Sequence, residues 1–126
     1  MSSRRRVLLN TLSVVAGFAL SQAAAAQSAF PSKPIRLVVP NAPGGAADLT
    51  ARTVGQKLSE TLGQPVVIEN RPGAGGVVAG ETVAKAVPDG HTLLLISSGT
   101  AVSAALFKAL PFDTVRDFIP VAPLAT

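Results

Sequence analysis

The chain has 126 residues, a formal net charge of +4 and no cysteine. Without cysteine it can form neither a disulfide nor a thiolate metal site, and it cannot carry a lipid on an N-terminal cysteine. Five Phe residues are present without Trp or Tyr, and the lysines are scattered singly. The chain therefore lacks the clustered basic face and the stacking side chains that are typical of nucleic-acid binding.

The first 26 residues have the pattern of an export signal. Three arginines at 4–6 precede an apolar stretch over 7–20, and four alanines at 23–26 supply a small-residue cleavage site, which is the order of a secretory signal peptide. Residues 3–8 also approximate a twin-arginine signal, so the Sec and the twin-arginine routes both fit. The alternative is a transmembrane anchor, but the stretch contains polar residues and is shorter than the ~20 apolar residues that a bilayer needs. We predict a signal peptide over residues 1–26.

Strand and helix patterns alternate along the remainder of the chain. Apolar runs at 35–39, 66–68, 91–96 and 119–122 predict strands. Helices are predicted over 49–62, 77–87 and 101–108, the first with Asp48 as its N-cap and Gly63 as its C-terminal stop. This alternation predicts right-handed crossover units and an α/β fold with a parallel sheet and flanking helices. So small a sheet leaves apolar edges bare, and we expect the chain to be a fragment of a longer protein.

Helical spacing divides the first two predicted helices into inward and outward faces. In the first helix apolar residues recur at intervals of three and four, which predicts one buried stripe. The polar residues of that helix, Ser59 among them, are expected to lie away from the stripe. The expected inward residues are Ala47, Ala51, Val54, Leu58 and Leu62 for the first helix, and Ala79, Val83, Ala86 and Val87 for the second.

Three loops rich in glycine and small hydroxyl residues follow the predicted strands, at 40–45, 71–76 and 97–100. In an open α/β sheet the carboxyl ends of the strands form the edge at which ligands bind. Gly44 and Gly45 allow the backbone to approach a ligand, and the N–H groups at the start of the next helix favour a carboxylate or a phosphate. The alternative is a tight turn that binds nothing, with Asp48 as a cap rather than a contact, because its charge would repel an anion. The loops predict a backbone site for a small anion.

The same loops contain little that supports catalysis. A nucleophilic serine at Ser97 or Ser98 needs a base, and the single histidine, His91, lies at the opposite end of the strand, about 20 Å away. The second loop lacks the third glycine of a dinucleotide motif, and Asp, Glu and His show no spacing of metal ligands. We expect no enzyme, no cofactor and no metal, with a serine hydrolase as the alternative. His91 is expected at the surface. Arg71 is expected to have a structural role, bonded to nearby carbonyls or to Glu69, with a ligand carboxylate as the alternative partner.

Several segments, in order, resemble one known family. The segments are 30–40 with 42–45 and Asp48, then 63–76, which contains Glu69-Asn70-Arg71-Pro72-Gly73-Ala74-Gly75-Gly76, then 88–94, then 110–113 with 117–118. Together they resemble the substrate-binding receptors of tripartite tricarboxylate transporters, the Bug or TctC family.

This resemblance implies a two-lobed, hinged periplasmic binding protein of type II, of which residues 27–126 are an incomplete N-terminal lobe. It implies a monomer in the periplasm that captures a small organic acid and delivers it to membrane transporter subunits, without nucleic acid. The alternatives are a ligand sensor for a membrane signalling protein and a truncated remnant without function. By motif position, the ligand contacts fall on Ala42, Pro43, Gly44, Gly45, Asp48, Gly75, Gly76, Ser98, Gly99 and Thr100.

Overall fold

The computed structural model describes residues 29–124, and the expected export signal over 1–26 lies outside them. Three parallel strands form the sheet. β1 (Ile35–Val39) lies between β2 (Val66–Asn70) and β3 (Thr92–Leu94), with Ile35 opposite Val66 and Arg36 opposite Thr92. β1 is the most buried strand because it has a neighbour at each edge. The parallel sheet of the predicted α/β fold is confirmed, and the carboxyl ends of all three strands lie at one edge.

Three helices flank this sheet: α1 (Ala46–Leu62), α2 (Val77–Ala84) and α3 (Ser98–Leu106), with a 3₁₀ turn at Ala74–Gly76 leading into α2. α1 packs on the sheet face that carries Leu37 and Val39, with Ala51 at the centre of the contact. The crossover from β2 to β3 runs in the opposite direction to that from β1 to β2, so the right-handed rule places α2 on the other face. There Gly80 lies against the ring of Phe112.

The helix starts and strand ends differ from the sequence prediction. α1 begins at Ala46 with Gly45 as its N-cap, so the assignment of Asp48 as the cap is wrong. Asp48 is the third residue of the helix, and its partners are Gly44, Arg52 and, from β2, Asn70. β2 continues to Asn70, α2 ends at Ala84, and α3 covers Ser98–Leu106 rather than 101–108.

The strand predictions were too long at β3 and wrong at 119–122. β3 has three residues, although the N–H of Leu95 still donates to Val38 O at 2.9 Å. Residues 119–122 form no strand, and Ile119 is 88% exposed. A strand is stable only when it pairs with a neighbour, and within residues 29–124 nothing pairs with this segment.

Three side chains differ from the prediction in their exposure to solvent. Val87 is 71% exposed, because α2 ends before it. His91 is buried, since the turn that binds its N–H to Asp89 Oδ1 brings the imidazole beneath the N–H of Ser32. Ser59 is half-buried toward β2, where its Oγ accepts the N–H of Val66 at 2.8 Å. The remainder of the inward stripe of α1 is confirmed, with Ala51 buried and the other four residues half-buried.

Ser59 provides a test of how α1 is joined to β2. Replacing Ser59 with Ala leaves the half-buried N–H of Val66 without its acceptor, and should lower the free energy of unfolding by about 1–2 kcal/mol. The matched control is Thr61→Ala. Each hydroxyl donates to the helix carbonyl four residues before it, Ser59 to Gly55 and Thr61 to Lys57, but the Thr61 hydroxyl is exposed. Urea denaturation should show little change for the control. Equal stability of the two variants would contradict this role of Ser59.

Candidate functional site

Two loops begin side by side at the carboxyl edge of the sheet: loop 1 (residues 40–45) after β1 and loop 2 (residues 71–76) after β2. The N–H of Arg71 donates to Val39 O at 2.8 Å, which continues the pairing of the two strands into loop 2. The start of α3 follows β3 at the same edge. The topology therefore brings together the three segments that the sequence analysis singled out.

Loop 1 ends in the exposed amino terminus of α1. Gly44 has φ +86° and Gly45 is extended, so the chain turns sharply from the sheet into the helix. The first bond inside α1 is from the N–H of Leu49 to Gly45 O, at 3.0 Å. The N–H groups of residues 46–48 have no carbonyl of the same helix to bind and carry the positive end of the helix dipole. This arrangement is suited to an anion.

Asp48 is buried behind this turn, at 2% exposure. Its Oδ2 accepts Arg52 Nε and the N–H of Gly44, both at 2.9 Å, and its Oδ1 accepts Asn70 Nδ2 at 3.0 Å. The Arg52 guanidinium, then the Gly44 N–H, then the Asn70 amide hold the pKa of this carboxyl well below its usual range. Asp48 is therefore ionised and fully engaged, and its charge is offset by Arg52.

Loop 2 is in close contact with α3. Gly75 and Gly76 both have positive φ, of +64° and +98°, and a Cβ on either would overlap a hydroxyl of α3: Ser103 Oγ for Gly75 and Thr100 Oγ1 for Gly76. Ser103 Oγ lies 3.0 Å from Gly75 O and 2.9 Å from Gly99 O, so its hydrogen is shared between the two carbonyls. These glycines are needed for both backbone conformation and close approach.

Thr100 is the side chain at this edge whose hydrogen bonding is incomplete. It is 5% exposed, and its Oγ1 has no partner among the residues that the structure describes. It borders a cavity of about 290 Å³ that Leu94, Ile96, Ala101, Thr114 and Phe118 also line. A buried hydroxyl without a partner costs free energy, so a hydrogen bond from another group to Thr100 would be favourable.

The ten residues that were expected to contact a ligand form two groups along the sheet edge. Gly44 is linked directly to Asp48, and Gly75 and Gly76 lie against Gly99 and Thr100. Ala42, Pro43, Gly45 and Ser98 are exposed beside them. The two groups meet at Pro40, since a Cβ on Gly76 would lie 3.3 Å from Pro40 Cβ.

Sequence reasoning assigned no role to Asn70, which ends β2 beside loop 1. Its position opposite Val39 follows from the strand register, and that register depends on contacts distant in sequence. The signal available in the sequence was a polar residue at the end of an apolar strand. The predicted pairing of Arg71 with Glu69 is confirmed, with Arg71 Nε donating to Glu69 Oε1 at 2.6 Å.

In the part of the chain that the structure describes, Ser97 and Ser98 have no histidine beside them. His91 precedes β3 at the opposite end of the sheet, where its O accepts the N–H of Arg36 at 2.8 Å. Within residues 29–124, no three His, Asp or Glu side chains are grouped as metal ligands would be. The same residues include no helix long and apolar enough to cross a membrane.

The family model described as "Tripartite tricarboxylate transporter family receptor" matches residues 50–126. The chain belongs to this family. It is 44% identical, over 98% of its length, to "UPF0065 protein in tcbD-tcbE intergenic region" of Pseudomonas sp. (strain P51). Among solved structures it is similar to MatC of Rhodopseudomonas palustris with bound malate, with a TM-score of 0.71 and 47% identity over 75% of this chain. It also resembles R. palustris Rpa4515 with adipate, with a TM-score of 0.50 and 43% identity over 52% of this chain.

The chain matches between about a fifth and just over a third of the length of these family members. It covers 36% of the Pseudomonas relative, 33% of MatC and 22% of Rpa4515. The sequence resemblance to the tricarboxylate receptors is thereby confirmed for the part of the fold that this chain contains.

The ionised state of Asp48 gives the site a defined dependence on acidity. Because folding lowers the pKa of Asp48, its contribution to stability is present above its unfolded pKa of about 3.9 and is lost as the pH falls through the folded value. We expect Asp48→Asn to be less stable than the unmodified chain at about pH 7, and to lose less further stability on acidification to about pH 3.

Urea denaturation at the two pH values measures this difference. Glu60→Gln is the control, because Glu60 forms an exposed pair with Lys57, and it should follow the unmodified chain. An Asp48→Asn variant that loses as much stability with acid as the unmodified chain would show that the Asp48 charge does not contribute.

Proposed function

We propose that this chain forms one wall of a carboxylate site in a periplasmic solute receptor, which delivers the bound organic acid to the membrane subunits of a tripartite tricarboxylate-type transporter. The observation that carries the proposal is the amino terminus of α1, which presents at the carboxyl edge of the sheet N–H groups that, among the described residues, have no helix carbonyl and no side-chain cap to bind. The chain shares 47% identity with a protein that was solved with bound malate and 43% with one solved with adipate, which supports a carboxylate as the anion.

The proposed contacts are of two kinds. Loop 1, through Ala42, Pro43, Gly44 and Gly45, lets one carboxylate approach the first turn of α1, where several N–H groups converge. Gly75, Gly76, Ser98, Gly99 and Thr100 form the second part, in which Thr100 offers a buried hydroxyl without a partner. Asp48 takes part through the loop that it holds rather than by touching the anion, because all its described bonds are to protein donors.

This mode of recognition requires no chemical change in the ligand. N–H and hydroxyl groups bind a carboxylate through charge-assisted hydrogen bonds and leave its covalent bonds intact. We propose a binding protein without catalysis or cofactor, exported by the signal at residues 1–26 and acting as a monomer.

Calorimetric titration of the purified chain tests the proposal. We expect malate and adipate to bind with dissociation constants on the order of millimolar, since the site is open to water on one side. The diamide of malate has nearly the same shape without the charges and should give no saturable heat. Equal heats for malate and its diamide, or no saturable heat for either dicarboxylate, would contradict a carboxylate site in this chain.

Removal of a single N–H donor tests the role of α1. Ala46 is the first residue of the helix, where proline is tolerated, and Gly45 before it has φ −81° and ψ 172°, a conformation that proline permits. Ala46→Pro should therefore keep the helix, remove one charge-assisted hydrogen bond, and weaken malate binding about tenfold.

The control is Ala46→Ser, which keeps the N–H group and should bind malate as the unmodified chain does. Circular dichroism confirms that both variants fold. Malate binding that is unchanged in Ala46→Pro would exclude the first turn of α1 as the anion site.

A further inference from the structure

Asn70 makes the bonds that connect β2 to loop 1. Its Nδ2 donates to Asn41 O and to Asp48 Oδ1, both at 3.0 Å. A side-chain amide nitrogen carries two hydrogens, so each of these acceptors receives one. The donor capacity of Asn70 is thus used completely, with one bond to the loop backbone and one to the carboxylate behind it.

The orientation of this amide is determined by its surroundings. Arg52 has donors only, and its Nη2 lies 3.4 Å from Asn70 Oδ1. Rotating the amide by half a turn would direct its oxygen at a carbonyl and a carboxylate and its N–H groups at a guanidinium. Neither end would then have a complementary partner, so Arg52 and Asp48 together select one orientation of Asn70.

Asp48, which Arg52 and Asn70 hold in place, also binds Gly44. Arg52 and the N–H of Gly44 share Asp48 Oδ2, while Asn70 occupies Oδ1. Loop 1 is therefore attached at two points three residues apart, at the carbonyl of Asn41 and at the N–H of Gly44. Between these points lie Ala42 and Pro43, which are exposed and whose side chains have no group that could form a hydrogen bond.

We propose that Asn70 is a positioning residue for the anion site: with Asp48 and Arg52 it fixes loop 1 so that the N–H groups at the start of α1 remain open to the ligand. This role rests on the proposed function. Asn70 reaches the site through the loop, because both of its hydrogens already bind the protein. Without the amide, loop 1 keeps its bond at Gly44 but loses the one at Asn41, and has more conformations to lose on binding.

Amide hydrogen exchange tests the attachment without any ligand. Asn70→Leu has a similar volume and no donor, so the bond to Asn41 O and the bond to Asp48 are both lost. We expect the exchange of the Gly44 N–H, followed by NMR, to become roughly three- to tenfold faster, because Asp48 is then held by Arg52 alone.

Gln56→Leu is the matched control. It also removes a bond from an amide to a carboxylate, that of Gln56 to Glu60 Oε1, but this bond lies within α1 and far from loop 1. It should leave the Gly44 exchange rate unchanged. An Asn70→Leu variant with the unmodified exchange rate at Gly44 would overturn the proposal, whatever the chain binds.

Binding of malate separates positioning from general stability. Ile68→Val provides the comparison, because it shortens a side chain packed under α1 and lowers stability without touching loop 1. We expect Asn70→Leu to bind malate about tenfold more weakly and Ile68→Val to bind as the unmodified chain does. If both variants weaken binding in proportion to their loss of stability, Asn70 is a structural residue only and the proposal is wrong.

The two hypotheses fail in different ways. If the unmodified chain binds no malate while Asn70→Leu still speeds exchange at Gly44, the proposed carboxylate site is wrong and the attachment of loop 1 stands. If the unmodified chain binds malate and Asn70→Leu binds it equally well, the site stands and the positioning role of Asn70 is overturned.

Discussion

The bonds to the buried carboxylate of Asp48 are the interaction on which the carboxyl edge of the sheet, the proposed ligand site, depends. A charge at 2% exposure is costly unless donors surround it. Its three donors come from loop 1, from the next turn of α1 and from the end of β2. The charge is fully satisfied only when all three elements are in place, so its bonds link the loop to the helix and to the sheet.

This constraint explains how the proposed anion site, which relies mainly on backbone groups, would keep its shape. The N–H groups of a helix start are fixed by the helix, but the loop before them consists of small residues that impose little order themselves. Asp48, which is buried, and Asn70, which is half-buried, supply that order through their bonds to the loop backbone. On the other side, Ser103 holds Gly75 and Gly99 together in the same manner. A backbone cradle of this kind would select an anion by its charge and size.

The sequence predicted most of the elements but not their exact ends or the contacts between them. Alternating apolar runs predicted β1, β2 and the inward stripe of α1, because burial in a small parallel sheet imposes that pattern. The length of β3 and the absence of a strand at 119–122 depend on whether a neighbour is present to pair with, which a local pattern does not contain. The three glycine-rich segments were predicted to share an edge, and the topology places them there.

Individual side chains were harder to predict than elements. Asp is a residue type that favours helix caps, yet the partners of Asp48 lie in loop 1, α1 and β2. The register of β2 against β1 is what brings Asn70 to it. His91 was expected at the surface because it begins a strand, but Ser32 and Asp89 enclose it. In both cases a partner distant in sequence decided the outcome.

The central claim is that backbone groups at the carboxyl edge of the sheet hold a carboxylate. The most direct measurement is to titrate the ¹⁵N-labelled chain with malate and follow every backbone amide by NMR. The account predicts saturable shifts at residues 44–48, 75–76 and 98–100, and little change at the opposite edge around His91. Shifts concentrated away from these residues, or the same shifts with the uncharged diamide, would contradict it.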